Sequence, residues 1–236
     1  MSKTTSKTII IALLFCSSLW LSSQAADEGV TSFSYQNVID QRSVQPEAAT
    51  PPSQSMAQPL EGGQTMLISD SGKNLSDMEF TLYSAIADFG GAGLGVGEAV
   101  KFTAPTPDWM LKSLLIVGWS GFNHTSGRLP PDRNFLIEVR DDEANLLYKF
   151  ADTQNFYFGS ADGPVAYGMD VPSVPVTKDF YVVFYDRGSM YLGAEQSNGT
   201  GNSYLAIDGQ LIPAEVKIRE TNETVKVNWL IRAIGG

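Results

Sequence analysis

Short apolar runs separated by turn-forming residues dominate the chain from about residue 65 onward. The runs are rich in Val, Ile, Phe and Tyr, which are residues that favour β-strands. The predicted strands cover residues 97–103, 111–119, 134–140, 145–150, 165–171, 179–185, 203–207 and 225–234. The segments between them, such as 130–132, 163–164 and 197–202, contain the Pro, Gly, Asn and Asp residues that are typical of turns. This pattern predicts an all-β fold.

Alternation within the runs indicates how the strands are layered. Residues 179–185 are apolar on both faces, so this strand is predicted to be central in its sheet. In residues 134–140 apolar side chains alternate with Glu138 and Arg140, which predicts one face in contact with water. About eight short strands with regular turns favour an antiparallel two-sheet β-sandwich. A jelly roll fits the pattern best, and an immunoglobulin-like sandwich is the alternative.

One segment of this region carries a helical period. Phe80, Tyr83 and Ala87 have the i, i+3, i+7 spacing of a helix face within residues 77–88. A strand is nearly as well supported by the same residues. The glycine-rich stretch 90–95 that follows is predicted to be a loop.

The first 25 residues have the three parts of a secretory signal peptide. Lys3 and Lys7 precede the apolar run 9–21, and Ser23 and Ala25 supply the small residues of a cleavage site. The apolar run is shorter than the roughly 20 residues that a spanning helix requires, and no later run is long enough. We therefore expect cleavage of this segment and an extracellular or cell-surface location, with an uncleaved anchor as the alternative.

Residues 26–64 are predicted to be a flexible linker between the signal peptide and a folded domain. Pro, Ser, Gln and Ala dominate this stretch, and large apolar residues are few. Such a composition buries too little apolar surface to offset the entropy lost on ordering. The β-sandwich domain is accordingly predicted to cover residues 65–236.

The chain is acidic, with a net charge of −10. Removal of the signal peptide takes away two lysines and no acidic residue, so the mature charge is −12. This charge disfavours nucleic acid, which is bound through basic contacts to phosphate. The single cysteine, Cys16, lies in the signal peptide, so the mature chain has no disulfide, zinc–thiolate site or cysteine nucleophile.

Four sequence stretches carry a resemblance to a known family. They are Phe102 to Trp109, Phe135 to Asp141, Asp179 to Phe184, and the terminal Asn228-Trp229-Leu-Ile231-Arg232. The region from Gly95 to Ala233, roughly 140 residues, resembles an extracytoplasmic β-sandwich domain of exported prokaryotic proteins, notably archaeal ones. The family has no established activity, so the resemblance implies a fold and a location but no site.

His124 is the only histidine, so a Ser-His-Asp triad would require it. It lies in the segment 121–127, which is predicted to be an exposed turn and therefore favours a solvated loop histidine. Transition-metal sites usually contain two or more His or Cys ligands, which this chain cannot supply. We predict no metal and no cofactor.

Glu138 is the best candidate for a catalytic carboxylate. Glycoside hydrolases use a pair of such groups, and Asp141 or Glu98 would be the second. Arg140 and Arg232 are predicted instead to pair with Glu138 and to keep it ionised. A structural ion pair is therefore favoured over catalysis.

The stretch 141–145, Asp-Asp-Glu-Ala-Asn, is dense in oxygen ligands of the kind that calcium prefers. It lacks the Gly and the distal Glu of an EF-hand loop. A hairpin turn between two strands is favoured over a calcium loop.

Aromatic residues near the predicted loops are the candidate ligand contacts, because flat rings stack on sugar faces and anchor protein partners. The candidates are Trp109, Phe156, Tyr157, Tyr167 and Tyr191. Trp119 and Trp229 lie within predicted strands and are assigned to the core. Four sequons in predicted loops make Asn74, Asn123, Asn198 and Asn222 candidate N-glycosylation sites.

These features favour a non-catalytic binding or adhesion module at the cell surface or in the medium, with a cell-envelope glycan or protein as its ligand. A structural component of the envelope is the first alternative. A carboxylate-dependent enzyme acting on glycans is the second.

Overall fold

The computed structural model describes residues 55–84, 95–188, 190–195, 199–217 and 223–236. In these ranges the protein is all-β, with one antiparallel sheet of eight strands and one of six. The strands are β1 Met56–Pro59, β2 Thr65–Ile68, β3 Thr81–Tyr83, β4 Val96–Thr103, β5 Met110–Trp119, β6 Asn134–Arg140, β7 Leu146–Thr153, β8 Val165–Pro175, β9 Asp179–Tyr185, β10 Tyr191–Glu195, β11 Ser203–Ile207, β12 Gln210–Pro213, β13 Glu215–Lys217, β14 Thr224–Lys226, β15 Asn228–Trp229 and β16 Ile231–Gly235. One short helix, α1, spans Gln154–Phe158 between β7 and β8.

Strands β3 to β10 are arranged as a jelly roll. Hydrogen-bonded neighbours run β3, β10, β5, β8 in the first sheet and β4, β9, β6, β7 in the second. Consecutive strands alternate between the sheets except for the β6–β7 hairpin, as two interlocked Greek keys require. The predicted two-sheet jelly roll is therefore confirmed, and the immunoglobulin-like alternative is not.

Most of the other strands enlarge the two sheets, while β13 and β14 pair with each other in a separate two-stranded sheet. The β11–β12 hairpin extends the second sheet beyond β4. Strand β16 pairs with β5 and carries β2 and then β1 on its outer side. Strand β16 is thus an interior strand of the first sheet. The single strand predicted over residues 225–234 is divided into β14, β15 and β16.

The core lies between the two sheets and is formed by the inward side chains of both. Trp229 is fully buried there and meets the ring of Tyr83 edge to face at 6.3 Å. Its indole N–H donates to the carbonyl of Tyr204 at 2.9 Å, so the one polar atom of the side chain is satisfied. The assignment of Trp229 to the core is confirmed.

The second sheet also has an apolar outer face. Alternate residues of β9, among them Tyr181, Val183 and Tyr185, form a second cluster with Leu136 and other outward side chains. The inward residues of the same strand join the main core. Strand β9 lies between β4 and β6, so its predicted central position is correct.

Two boundaries differ from the predictions. Residues 77–84 hold a 3₁₀ turn and strand β3 rather than the helix that the spacing favoured, while 85–88 lie outside the described residues. Residues 56–59 form an edge strand of the first sheet, so this part of the predicted linker is paired with β2. The predicted signal peptide and residues 26–54 lie outside the described ranges. Within those ranges no helix is long and apolar enough to cross a membrane.

Candidate ligand-binding surface

Three connections between the sheets meet at one end of the sandwich, which we call the loop end: residues 120–133, 154–164 and 186–188. The amide of Ser120 donates to the carbonyl of Phe158 at 3.0 Å. The indole N–H of Trp119 donates to the carbonyl of Ser160 at 2.9 Å, and the amide nitrogen of the Asn155 side chain donates to the carbonyl of Pro130 at 3.0 Å. These bonds join loops that are distant in sequence into one continuous surface.

Gln154, the first residue of α1, joins two of these loops. Its backbone N–H donates to the carbonyl of Arg133 at 2.8 Å. Its side-chain Nε2 donates to the carbonyl of Asp186 at 3.0 Å. The residue is fully buried, so both bonds are shielded from competing water. Gln154 therefore holds the β5–β6 and β9–β10 connections in a defined relative position.

Three of the predicted ligand contacts lie together on or beside α1. The ring of Tyr157 meets Phe156 at 4.9 Å and Tyr167 at 5.1 Å, in both cases edge to face. Phe156 is 74% exposed, the largest exposure among the large hydrophobic side chains of the described chain. Tyr157 and Tyr167 are partly buried and pack against the core. Phe156 is therefore presented to solvent on a support made by the other two rings.

The hydroxyl of Tyr157 donates to the carboxylate of Asp152 at 2.7 Å. Burial, together with this bond, raises the pKa of Tyr157 to about 12. The same bond lowers the pKa of Asp152 below its ordinary value. The tyrosine is thus a neutral hydrogen-bond donor at physiological pH, and its ring is fixed beneath Phe156.

A second aromatic group lies on the β5–β6 side of the loop end. Tyr191 is 40% exposed and stands opposite Trp119 in the register of β10 and β5. Trp119 is only partly buried, and its ring lies 6.4 Å from that of His124. The assignment of Trp119 to the core is therefore wrong, because its strand ends at the surface.

Trp109 does not belong to the loop end. It precedes β5 at the opposite end of that strand, is 3% exposed and packs its ring against Phe180 at 5.9 Å. A ligand cannot reach a side chain in this position without displacing core residues. We correct its assignment from ligand contact to core.

A pocket of about 420 Å³ opens at the loop end. Its lining consists of Asp132, Arg133, Asn134 and Arg187. Arg187 follows Asp186 in a turn in which Asp186 Oδ1 accepts the amide of Gly188 at 2.8 Å. Residues from two connections, the ones that Gln154 holds together, thus line a single pocket.

The carboxylates considered for catalysis are not brought together. Glu138 points to the outer face of the second sheet, where it accepts hydrogen bonds from Arg140 at 2.7 Å and from the Tyr185 hydroxyl at 3.0 Å. Glu98 is on the opposite, core-facing side of that sheet, since Val100 two residues on belongs to the main core. The predicted pairing of Glu138 with Arg140 is confirmed. The pairing with Arg232 is wrong, because that side chain bonds Asp70.

Burial alone would raise the pKa of Glu138, but the hydrogen bonds from Arg140 and Tyr185 outweigh it and the pKa is lowered. Lys149 adds an ion pair at 3.6 Å. A carboxyl held ionised in this way has the opposite tuning to the general acid of a glycosidase, whose pKa is raised.

Residues 141–145 form the predicted hairpin turn between β6 and β7. Asp141 Oδ1 accepts the amides of Glu143 at 3.0 Å and Asn145 at 2.8 Å, and Ala144 has a positive φ of 65°. The oxygens of Asp141 are thus directed at the turn itself. In the described ranges no group of three or more His, Cys, Asp or Glu side chains is placed to hold a metal ion.

Two sequons and His124 lie in exposed loops, as predicted. Asn74 begins a 3₁₀ turn, and Asn123 Oδ1 accepts the amide of Thr125 at 2.9 Å. His124 has ring contacts with Phe122 and Trp119 but no hydrogen bond or ion pair among the described residues. Asn198 and Asn222 lie outside the described residues.

Sequence reasoning missed Gln154, Arg133 and Arg187. Each lies in a connection rather than in a strand, and nothing in its local sequence distinguishes it. The scarcity of basic residues, with 16 Lys and Arg against 26 Asp and Glu, is a signal that could have drawn attention to the two arginines but not to Gln154.

The sequence matches no protein-family model, and no curated protein shows significant similarity to it. The resemblance to an extracytoplasmic domain of exported prokaryotic proteins stays a prediction.

Proposed function

We propose that the protein is an exported, non-catalytic binding module whose loop end contacts a glycan of the cell envelope or the surrounding medium. The observation that carries this proposal is the exposure of Phe156 on a rigid support. A large aromatic side chain in solvent contributes nothing to the core, yet α1 is bonded to the neighbouring connections through Gln154 and Asn155.

Exposed rings on a preorganised surface are suited to binding because little conformational entropy is lost when a ligand arrives. Tyr191 supplies a second exposed ring at the loop end. Polar groups line the pocket at the same end of the sandwich, including Arg133 and Asn134. Sugars present alternating apolar faces and hydroxyl groups, which match this combination of rings and hydrogen-bonding groups. A protein ligand would also use the rings but would favour a larger continuous apolar patch.

The test is binding of the mature chain to immobilised envelope glycans and to a glycan array. Phe156→Ala should lower affinity roughly tenfold or more, as is common for aromatic anchors at binding surfaces. Met56→Ala is the control, because it removes another exposed apolar side chain, 47% exposed, on the edge strand β1. Unchanged binding by Phe156→Ala would contradict the proposal, and retention on the protein fraction of the envelope alone would redirect it to a protein ligand.

A structural envelope role is a second candidate, and the edge strand β7 favours it. Leu146 and Leu147 are 49% and 41% exposed on this strand, which pairs only with β6 in the described chain. Exposed apolar edges promote strand-to-strand association between chains. Concentration-dependent assembly that Leu147→Lys abolishes would support this role, whereas a monomer at all concentrations would contradict it.

A further inference from the structure

The pocket at the loop end is of a size that accepts a small group. Its volume of about 420 Å³ falls within the range of roughly 300–1,000 Å³ that is common for small-molecule sites. Two of its four lining residues are arginines. A monosaccharide residue with a substituent on its ring would fit such a space.

The two pocket arginines differ from Arg140 and Arg232, although Arg128, which lies outside the pocket, likewise forms no ion pair with a described residue. Arg140 and Arg232 are each bonded to a carboxylate, Glu138 and Asp70 respectively. Neither pocket arginine forms an ion pair with any described residue. Asp132 lines the same pocket, but its Oδ1 accepts the backbone amide of Asn155 at 2.9 Å and is not paired with an arginine. The lining therefore carries two formal positive charges and one formal negative charge, which leaves a net charge of +1.

Arg187 has an unfavourable backbone conformation and an unsatisfied side-chain donor. Its φ of 52° lies in the left-handed region, which is unfavourable for residues with a Cβ. Its Nε atom is buried and has no hydrogen-bond partner in the described part of the chain. Strained backbone and unsatisfied donors of this kind concentrate at sites where a ligand completes the bonding. Because the Nε is buried, an acceptor on a ligand can reach it only when the Arg187 side chain shifts on binding.

Gln154 sets the geometry of the pocket. It bonds the carbonyl of Arg133 through its backbone and the carbonyl of Asp186, next to Arg187, through its side chain. The two guanidinium groups are thereby carried by a shared buried support. Gln154 is a positioning residue, since its own side chain is fully buried.

From these observations we infer that the pocket is an anion subsite in which Arg133 and Arg187 bind an acidic substituent of the glycan, a carboxylate or a sulfate. This inference rests on the proposed function and names the chemical class of its ligand. Guanidinium groups bind such oxyanions through paired, charge-assisted hydrogen bonds.

The net charge of the protein further restricts the class of acidic glycan that it can bind. The chain carries −10 overall, so a densely charged polyanion is repelled as a whole. At physiological ionic strength charges are screened beyond about 8 Å, so a single acidic group inside the pocket interacts mainly with the charges of the lining, the two arginines and Asp132. A sparsely acidic glycan is the expected ligand.

Three sugars that differ only at C6 test the inference: glucuronate, glucose 6-sulfate and glucose. Each is titrated into the mature chain, and NMR follows the arginine Nε–H signals and the amides of the loop end. Glucuronate or the sulfate should bind at least tenfold more tightly than glucose, and the Arg187 Nε–H signal should shift as it gains an acceptor. The two acidic sugars distinguish a carboxylate from a sulfate. N-acetyl-alanyl-alanine supplies a carboxylate without a sugar.

Variants assign the effect to residues. Arg187→Gln and Arg133→Gln should each lower glucuronate affinity about tenfold, the size expected for a lost charge-assisted hydrogen bond. Arg128→Gln is the control, since Arg128 lies in the same connection as Arg133 but does not line the pocket. Gln154→Met should weaken glucuronate binding. Arg187→Lys keeps the positive charge and should therefore retain part of the glucuronate affinity. Thermal melts confirm that each variant is folded.

The outcomes separate the two proposals. Glucose binding as tightly as glucuronate, or Arg128→Gln weakening binding as much as Arg187→Gln, would overturn the anion subsite and leave the binding module standing. Equal affinity for N-acetyl-alanyl-alanine would overturn the sugar assignment. Loop-end signals that respond to none of these probes and to no extracted envelope glycan would overturn both the subsite and the proposed function.

Discussion

Arg232 and Arg187 lie in two regions of the protein and differ in the hydrogen bonding of their guanidinium groups. Arg232, 6% exposed in β16, donates from Nε and Nη2 to both carboxylate oxygens of Asp70 at 2.8 and 2.9 Å. Its Nη2 also donates to the carbonyl of Lys73 at 2.8 Å. Arg187 has a buried Nε with no described partner and a backbone in the left-handed region. The guanidinium group in the interior of the first sheet is hydrogen-bonded to a carboxylate, whereas the guanidinium group at the loop end has a buried Nε without a described partner.

The difference distinguishes charged side chains that are bonded within the fold from those that remain available to a ligand. A charge that is fully bonded within the protein contributes to folding or to the specificity of the fold. A donor that is positioned but unbonded weakens the fold, and we infer a ligand where the donor belongs to a residue that also lines a pocket, as Arg187 does. The contrast can be measured, because variants in the two regions should act on different quantities.

The largest expected effect is on the core that both regions share. Trp229→Ala should cost about 3 to 5 kcal/mol of unfolding free energy, since it empties a fully buried site and removes the bond to Tyr204. With domain stabilities commonly near 5 to 15 kcal/mol, much of the protein should be unfolded or poorly secreted. Urea unfolding measures the loss. Phe156→Ala is the control and should stay within about 0.5 kcal/mol of wild type; an unchanged melt for Trp229→Ala would refute the core assignment.

The next effect breaks the interior arginine pair. Arg232→Met leaves the carboxylate of Asp70 buried without its partner, which should cost roughly 3 kcal/mol. The double variant Asp70→Leu with Arg232→Met should recover much of this loss, because neither charge then remains in the interior. Arg187→Met should leave the melting temperature nearly unchanged. Equal destabilisation by the two arginine variants would erase the contrast between the regions.

The ion pair between Asp70 and Arg232 is an example of a contact that could not be predicted from the sequence. The alternation within 134–140 and the continuous apolar run of 179–185 are local patterns, so the strands and the central position of β9 could be predicted from them. Asp70 and Arg232 are separated by 162 positions and meet only because β2 pairs with β16. No periodicity identifies such a partner.

Short and edge strands escaped prediction for a related reason. All four residues of β1 are exposed, so Met56–Pro59 shows no apolar alternation and resembles the linker before it. β3 has three residues, too few for a period of two to stand out against the helical spacing of Phe80 and Tyr83. The loop end was only partly predicted, since its rings are visible as residue types, whereas the bonds of Gln154 depend on the completed topology.

A smaller effect concerns the outer face of the second sheet and depends on pH. The folded-state pKa of Glu138 is lower than its ordinary 4.5, so this group stabilises the fold above that value and the contribution is lost as the pH falls. Burial and Glu138 raise the pKa of Tyr185 to about 12, so its contribution is present below pH 10 and is lost between about pH 10 and 12.

Glu138→Gln should therefore lower stability by about 1 to 2 kcal/mol at neutral pH, the size of a hydrogen bond to a charged group, and flatten the acid limb of the stability curve. Tyr185→Phe should flatten the alkaline limb. Thermal melts from pH 2 to 12 test both expectations. An acid limb that is as steep in Glu138→Gln as in wild type would show that other carboxylates carry it.

The smallest expected change in stability is the most informative one, because the substitution should stabilise the protein rather than destabilise it. Arg187→Gly removes the steric penalty of a left-handed residue, about 1 to 2 kcal/mol, at an entropic cost of about 0.5 to 1 kcal/mol. It also removes the buried Nε that has no described partner. The variant should be more stable than wild type by up to about 1 kcal/mol and should bind glucuronate more weakly. Arg232→Gly, in the satisfied region, should be less stable. Calorimetry of the two glycine variants with and without glucuronate decides the matter. A destabilised Arg187→Gly protein would mean that Arg187 serves the fold as Arg232 does, and the difference between the two regions would then disappear.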